Sequence, residues 1–279
     1  MSADLHTHST ASDGRSSPSQ LVTEALQAGL TAVALTDHDT FEGLDEARGA
    51  AAGTPLQVLA GVELSTMTGD VSVHVLGYGD LRGDPGLVAT MARTVAARQE
   101  RVTEMARRLA AGEGLDEAGL LAALRRHTPP GATPGRPHLA DALIDLGVVS
   151  HRDEAFPRLL ADNGPYYVGY WAPSTREGVA AIRAAGGVPV LAHPRGRRGP
   201  VLTDSQIADL VTVGLLGLEV DHRDHDDTAR YGLRILAKDL DLVVTGSSDY
   251  HGTGKLNVLG EHTTDPGVVE EIASRLPAW

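Results

Sequence analysis

Short apolar runs alternate with longer stretches of helical period along most of this chain, and each run ends in a polar cluster. Thr31–Thr36 (TAVALT) is apolar without alternation, the pattern of a strand buried on both faces of a parallel sheet. Comparable runs occupy Gln57–Leu64, Val71–Tyr78, Val188–Leu191, Leu216–Val220 and Leu242–Thr245, and a first strand begins almost at Met1. Between them the apolar positions fall three and four apart. Leu21, Val22, Ala25 and Leu26 form such a stripe in a helix opened by Ser17-Pro18-Ser19 and closed by Gly29. Further helices are expected over Phe41–Ala52, from Ser174-Thr175-Arg176-Glu177 to Ala185, near Asp204–Val213 and over Thr228–Asp239.

The pattern changes around Asp84-Pro85-Gly86. Leu87, Met91, Val95, Val102, Met105 and Leu109 mark one long helix from Leu87 to Ala111, and helices follow over Leu115–Arg126, Pro137–Leu146 and Arg152–Ala161. No strand is read between about 85 and 165. The expected organisation is an α/β domain made of residues 1–84 and 166–279, interrupted by an all-helical insertion over 85–165. Inside the insertion a Pro/Gly-rich loop, Thr128–Arg136, leads to Arg136-Pro137-His138 at a helix start, where the free N–H groups suit an anion. Seven strand-like segments, mostly followed by helices, favour a parallel barrel over an open sheet.

Composition narrows the chemistry. The 279 residues carry 24 basic and 37 acidic side chains, 24 − 37 = −13, which disfavours stable binding to a nucleic-acid duplex or an acidic membrane. Zero cysteines exclude disulfides and thiolate ligands, so any metal must be held by nitrogen and oxygen. No apolar run approaches the roughly 18 residues of a membrane span and no leader precedes the first strand, so a cytoplasmic location is expected. Twelve histidines are a heavy load for this length, and their positions matter.

They gather where the strands end. His6 and His8 share one face of the first strand, with Asp13 returning after a Ser/Thr/Gly turn. His38, Glu63, His74, His193, Asp249 and His251 lie on or just past other strands, mostly at the C-terminal ends, the face that carries the chemistry in barrels. A lone His-x-His is ordinarily two polar strand residues. Its recurrence with carboxylates at one strand exit after another points to a shared metal site.

These stretches resemble the PHP (polymerase and histidinol phosphatase) superfamily of metal-dependent phosphoesterases. The matching pieces are Asp4-Leu5-His6-Thr7-His8-Ser9 with Asp13-Gly14, Leu35-Thr36-Asp37-His38-Asp39, Gly61-Val62-Glu63, His74-Val75-Leu76-Gly77-Tyr78, Ala192-His193-Pro194 and Ser248-Asp249-Tyr250-His251-Gly252. They stand in the family's order from residue 4 to residue 252. The resemblance implies a distorted seven-stranded (β/α) barrel with two to three divalent ions (Mn, Fe or Zn) at the strand C-termini. His6, His8, Glu63 and Asp249 would hold the first ion. Glu63 would bridge to a second ion on His74 and His193, and Asp13, His38 and His251 would hold the third. Glu63, His193 and Asp249 would be the catalytic centre, serving attack of a metal-bridging hydroxide on a phosphate ester.

Within the superfamily, Gly135-Arg136-Pro137-His138-Leu139-Ala140 between the barrel halves resembles the nucleotide phosphatase branch. That branch implies a capping insertion in which Arg136 and His138 contact substrate phosphate. The substrate would be small and phosphorylated: the 3′-phosphate of a nucleoside 3′,5′-bisphosphate, an AMP-like ester, or the end of a short oligoribonucleotide. After His193-Pro194 the branch often has a Gly-Arg pair. This chain has Arg195-Gly196-Arg197-Arg198, so Arg195 and Arg197 are both candidate phosphate contacts. His225, in a loop with His222, is a further candidate near the leaving group. Arg98 and Arg101 are expected to be solvated or salt-bridged, and the chain's two lysines, Lys238 and Lys255, are read into a helix and a late loop. Histidinol-phosphate phosphatase is the alternative enzyme, against which the insertion argues. A non-catalytic metal-binding module is the alternative class, against which the complete ligand set argues.

Overall fold

The apolar runs form strands and the periodic stretches form helices in the computed structural model, which describes residues 2–130, 132–161, 164–196, 202–253 and 255–276. The strands are β1 (Ala3–Thr7), β2 (Ala32–Leu35), β3 (Gln57–Thr68), β4 (Val71–Tyr78), β5 (Val188–Leu191), β6 (Gly217–Asp221) and β7 (Val243–Gly246), paired in sequence order in one seven-stranded sheet. The sheet curls until its ends meet: His8 N–H donates to Tyr250 O at 2.8 Å and Tyr250 N–H to His6 O at 3.3 Å. Helices α1 (Pro18–Gln27), α2 (Leu44–Ala51), α7 (Thr175–Ala184), α8 (Asp204–Val211), α9 (Asp227–Asp239) and α10 (Pro266–Ser274) accompany it. Ser17 and Ser174 cap α1 and α7 with reciprocal bonds to Gln20 and Glu177, the second as its spacing predicts. The helix α10 has no counterpart among the expected elements, although Asp265 caps it and Pro266 occupies its first turn.

The parallel barrel needs one correction. β3 runs to Thr68, past the expected Leu64, and a two-residue link, Gly69-Asp70, turns the chain straight into β4. So short a link permits only an antiparallel hairpin, since a parallel neighbour requires a crossover of about ten residues or more. Gly69 takes the left-handed φ of +60° that such a turn demands. β4 therefore runs antiparallel to both β3 and β5, while the remaining neighbours are parallel. Reversal brings the beginning of β4 to the rim where β3 continues, with His74 opposite Ser65.

The chain forms two compact units, Met1–Met91 with Ala172–Trp279, and Ala92–Trp171. The boundary falls within helix α3 (Pro85–Glu113) and just after Trp171. In the first unit, Val62, Leu64, Val73 and Val75 of the hairpin pack with Val179, Ile182, Leu218 and Leu233 into an apolar core. The second unit comprises most of α3 with α4 (Glu117–His127), α5 (Arg136–Asp145) and α6 (Arg152–Ala155), which runs into a π turn over Phe156–Leu160. Its own core joins Val102, Met105 and Leu109 to Leu120, Leu124, Leu139, Leu143 and Leu160. No helix among the described residues is long and apolar enough to cross a membrane.

Candidate metal centre

The alternation of β1 sets the first pair: His6 and His8 lie on one face with their Nε2 atoms 3.1 Å apart. The chain then turns back through Asp13, and Gly14 packs against the main chain of His8 so closely that a Cβ would sit 2.6 Å from its carbonyl oxygen. Asp13 Oδ1 thereby comes within 3.1 Å of His251 Nε2 and 3.9 Å of both His8 Nδ1 and His38 Nε2. Two of the key residues, His193 and Asp249, adopt left-handed backbone at φ +27° and +52°. Such strain at strand exits is retained where surrounding contacts hold it.

Glu63 is the hub. Its Oε1 lies 2.7 Å from His74 Nδ1 and 3.2 Å from His193 Nε2. Its Oε2 lies 3.2 Å from His6 Nε2, 3.1 Å from His8 Nε2 and 3.2 Å from His38 Nδ1. Asp249 Oδ1 closes the cluster at 3.2 Å from His8 Nε2 and 3.5 Å from His6 Nε2. Ligand atoms near enough to share one ion fall into four sets among the described residues: His6, His8, Glu63, Asp249; His8, Asp13, His38, His251; His38, Glu63, His74; and His6, His193, Glu219. The structure thus brings together all nine residues of the expected ligand set. It differs from the expected partition in that His6, His8 and His38 each belong to two sets, and in that His193 falls with His6 and Glu219 rather than with Glu63 and His74.

The donor set fits divalent cations for a specific reason. Glu63 Oε2, His8 Nδ1, Asp13 Oδ1 and His251 Nε2 are buried and have no hydrogen-bond partner among the described residues. Buried polar atoms are normally satisfied, and leaving one unmet costs about 1–3 kcal/mol. Imidazole nitrogens and carboxylate oxygens converging in this way suit divalent transition-metal ions. Electrostatics agree. Burial opposes ionised Glu63, but the imidazoles of His38, His74 and His6 outweigh it and hold the carboxyl well below its ordinary range. Burial likewise opposes charged His8, yet Asp249 and Glu63 carry it up to about 9.

A second ring of buried carboxylates surrounds the first, and its role was not legible in the sequence. Asp4, Asp37 and Asp39 each grip one serine through both its N–H and its hydroxyl. Asp4 accepts from Ser248 N at 3.0 Å and Oγ at 2.5 Å. Asp37 accepts from Ser9 N at 2.8 Å and Oγ at 2.6 Å, and Asp39 from Ser65 N at 2.8 Å and Oγ at 2.7 Å. Glu219, in the middle of β6, accepts from His6 Nδ1 at 3.0 Å, from His193 N at 2.7 Å and from the Ser247 hydroxyl. A carboxylate can only accept, so the His6 proton sits on Nδ1 and Nε2 presents its lone pair to the cluster. Asp37 and Asp39 flank His38 just past β2, and Asp4 and Glu219 lie within β1 and β6 as His6 and Glu63 lie within β1 and β3, so no sequence signal separates the two groups.

The expected substrate contacts fare unevenly. Within the helical unit, Arg136 Nη1 donates to Leu160 O at 3.1 Å, and buried His138 accepts from Gly135 N at 3.0 Å through Nδ1, capping α5. Arg195 pairs with Asp204, and Arg197 lies outside the described residues. His225 is a correction: its Nδ1–H donates to Val220 O at 2.8 Å and its Nε2 accepts from Arg195 N at 3.2 Å, so both nitrogens serve the main chain. Neighbouring His222 is the one with a buried Nε2 that has no hydrogen-bond partner among the described residues. Arg101 is only partly exposed: it donates to Val168 O at 2.9 Å and lies over the rings of Tyr167 and Tyr170. Lys255, read into a late loop, reaches the cluster, with Nζ 2.8 Å from Asp249 Oδ2.

Comparison with known proteins agrees with this geometry. A family model described as the PHP domain matches residues 4–113. Over 99% of its length the chain is 34% identical to a 3′,5′-nucleoside bisphosphate phosphatase of Chromobacterium violaceum, covering 96% of that relative. Over 99% it is 32% identical to a 5′-3′ exoribonuclease of Haemophilus influenzae, covering 97%. A crystal structure from Bifidobacterium adolescentis, assigned as a metal-dependent phosphoesterase, superposes with a TM-score of 0.91 at 40% identity, covering 99% of this chain and 96% of that one.

Proposed function

The chain belongs to the PHP domain family, and on that premise we propose that it is a metal-dependent phosphoesterase acting on small nucleotides. The preferred reaction is removal of the 3′-phosphate from a nucleoside 3′,5′-bisphosphate, with stepwise 5′-3′ cleavage of short oligoribonucleotides as a related activity of the same site. Both follow from the activities named for the two full-length relatives.

The observation that carries the reading is the two-sided setting of Glu63. One carboxylate faces His74 and His193 through Oε1 and His6, His8 and His38 through Oε2. That is the arrangement expected of a residue shared between two cations. Divalent ions held here would neutralise phosphoryl charge and lower the pKa of water for an in-line displacement. The protein's own part is to hold the ligands in place. Glu219 keeps the His6 lone pair aimed inward and clamps the strained main chain at His193. Asp4 and Asp37 fix the loops that carry Asp249 and His8. With this scaffold set in advance, little reorganisation is needed as charge develops at phosphorus.

The test is phosphate release by protein reconstituted with Mn, Fe(II) or Zn, against nucleoside 3′,5′-bisphosphates, AMP, short oligoribonucleotides and histidinol phosphate. Release from the bisphosphate above all others is expected. A fully metal-loaded protein that releases phosphate from none of the nucleotides would sink the reading.

A further inference from the structure

Asp249 has two oxygens in different company. Oδ1 faces the imidazoles of His6 and His8, as a ligand should. Oδ2 turns the other way, toward Lys255 Nζ at 2.8 Å and His222 Nε2 at 4.0 Å. The contact with Lys255 is built rather than incidental. Asn257 donates through Nδ2 to Ser248 O at 2.6 Å and Asp249 O at 3.1 Å, pinning the loop that carries Lys255 to the same main chain that carries Asp249.

His222 is 1% exposed, and its Nδ1 accepts from Asp224 N at 3.2 Å. The proton of the neutral ring is therefore on Nε2, a donor aimed into the site with no hydrogen-bond partner among the described residues. At 4.0 Å it is too far from Asp249 Oδ2 to bond to it. Lys255 has three N–H groups, and its contact with Asp249 occupies one; its side chain is 40% exposed, open to an arriving ligand. One charged and one neutral donor thus border the outer side of a metal-binding carboxylate. A dianion approaching a chain of net charge −13 gains from a fixed cation at that point.

We propose that Lys255 and His222 form a subsite for an oxygen of the substrate's phosphoryl group, next to the metals at Asp249. The proposal rests on the phosphoesterase reading, but its test does not require turnover. Binding of inorganic phosphate to the metal-loaded protein is measured by calorimetry, with metal per chain determined on the same samples. Lys255→Met should raise the dissociation constant about ten- to a hundredfold, the usual consequence of losing a charge-assisted hydrogen bond. Lys255→Arg should restore most of the affinity. His222→Phe should weaken binding about three- to tenfold while His222→Gln, which keeps a donor, weakens it less. Metal content should be the same in all four.

Wild-type phosphate affinity in metal-replete Lys255→Met would overturn the proposal. So would weakened binding that merely follows lost metal, because Lys255 would then act only through Asp249. A wild-type protein that binds phosphate through Lys255 but hydrolyses no phosphate ester would refute the phosphoesterase reading while the subsite stood.

Discussion

Two sets of buried carboxylates meet at one rim of the barrel, and they differ in their hydrogen bonds. Asp4, Asp37, Asp39 and Glu219 are saturated by serine hydroxyls, main-chain N–H groups and one imidazole. Glu63 and Asp13 each keep a buried oxygen with no hydrogen-bond partner among the described residues, facing imidazole nitrogens. Burial is nearly the same on both sides: Glu63 is 1% exposed and Glu219 0%. Saturation, more than residue type, thus distinguishes the carboxylates that stitch strand ends together from the two that keep an oxygen open to a cation. A saturated oxygen has little left for a metal, and an unsaturated one carries a cost that a metal removes.

The largest expected effect comes from changing a carboxylate of the open set. Glu63→Gln should lower phosphate release by roughly a hundredfold or more, because the shared charge between two metal positions is lost. Circular dichroism and thermal melting should show the fold intact. Near-native turnover at normal metal content would mean that Glu63 is not shared between cations.

Glu219→Gln sharpens the comparison from the other side. If Glu219 only orients His6 and His193, metal affinity should fall about ten- to a hundredfold without abolishing a binding step, as seen by competition with a chelator. A binding step missing altogether would make Glu219 a ligand and collapse the distinction drawn above.

Protons test the open set without mutation. Coordinating imidazoles must be neutral, whereas Asp249 and Glu63 carry His8 up to about 9. Apparent metal affinity should therefore rise by up to about tenfold per pH unit between pH 6.5 and 9, then level off. The sign reverses for the metal-free fold. A histidine whose pKa is raised on folding stabilises below its unfolded value near 6.5, and loses that contribution as pH rises through about 9. Metal affinity that is flat across this range, measured by chelator competition, would contradict the assignment of His8.

The smallest effect belongs to the stitched set. Ser9→Ala removes one hydroxyl from Asp37 but leaves the Ser9 N–H and the Ser12 hydroxyl in place. The expected cost is about 1–2 kcal/mol, a shift of a few degrees in melting temperature. Metal content should not change. A large loss of metal here would show that the outer ring cannot be separated from the inner one.

The sequence by itself determined every helix but α10, the seven strands and the identities of the nine clustered side chains. Those depend on local properties: apolar period, capping boxes and motifs that keep their order along the chain. Tertiary structure decided the rest. Gly69-Asp70 was short enough to force β4 antiparallel, but that consequence emerged only once β3 was seen to run on to Thr68. The partners of Glu219, His6 and Ser247, are 213 and 28 residues away, and Asp4 meets Ser248 across 244. Periodicity extends over a dozen residues and carries no information at such separations. For the same reason the sequence placed His225 in the site and Lys255 outside it, whereas the folded chain spends both nitrogens of His225 on its main chain and sets the Lys255 ammonium against Asp249 of the cluster.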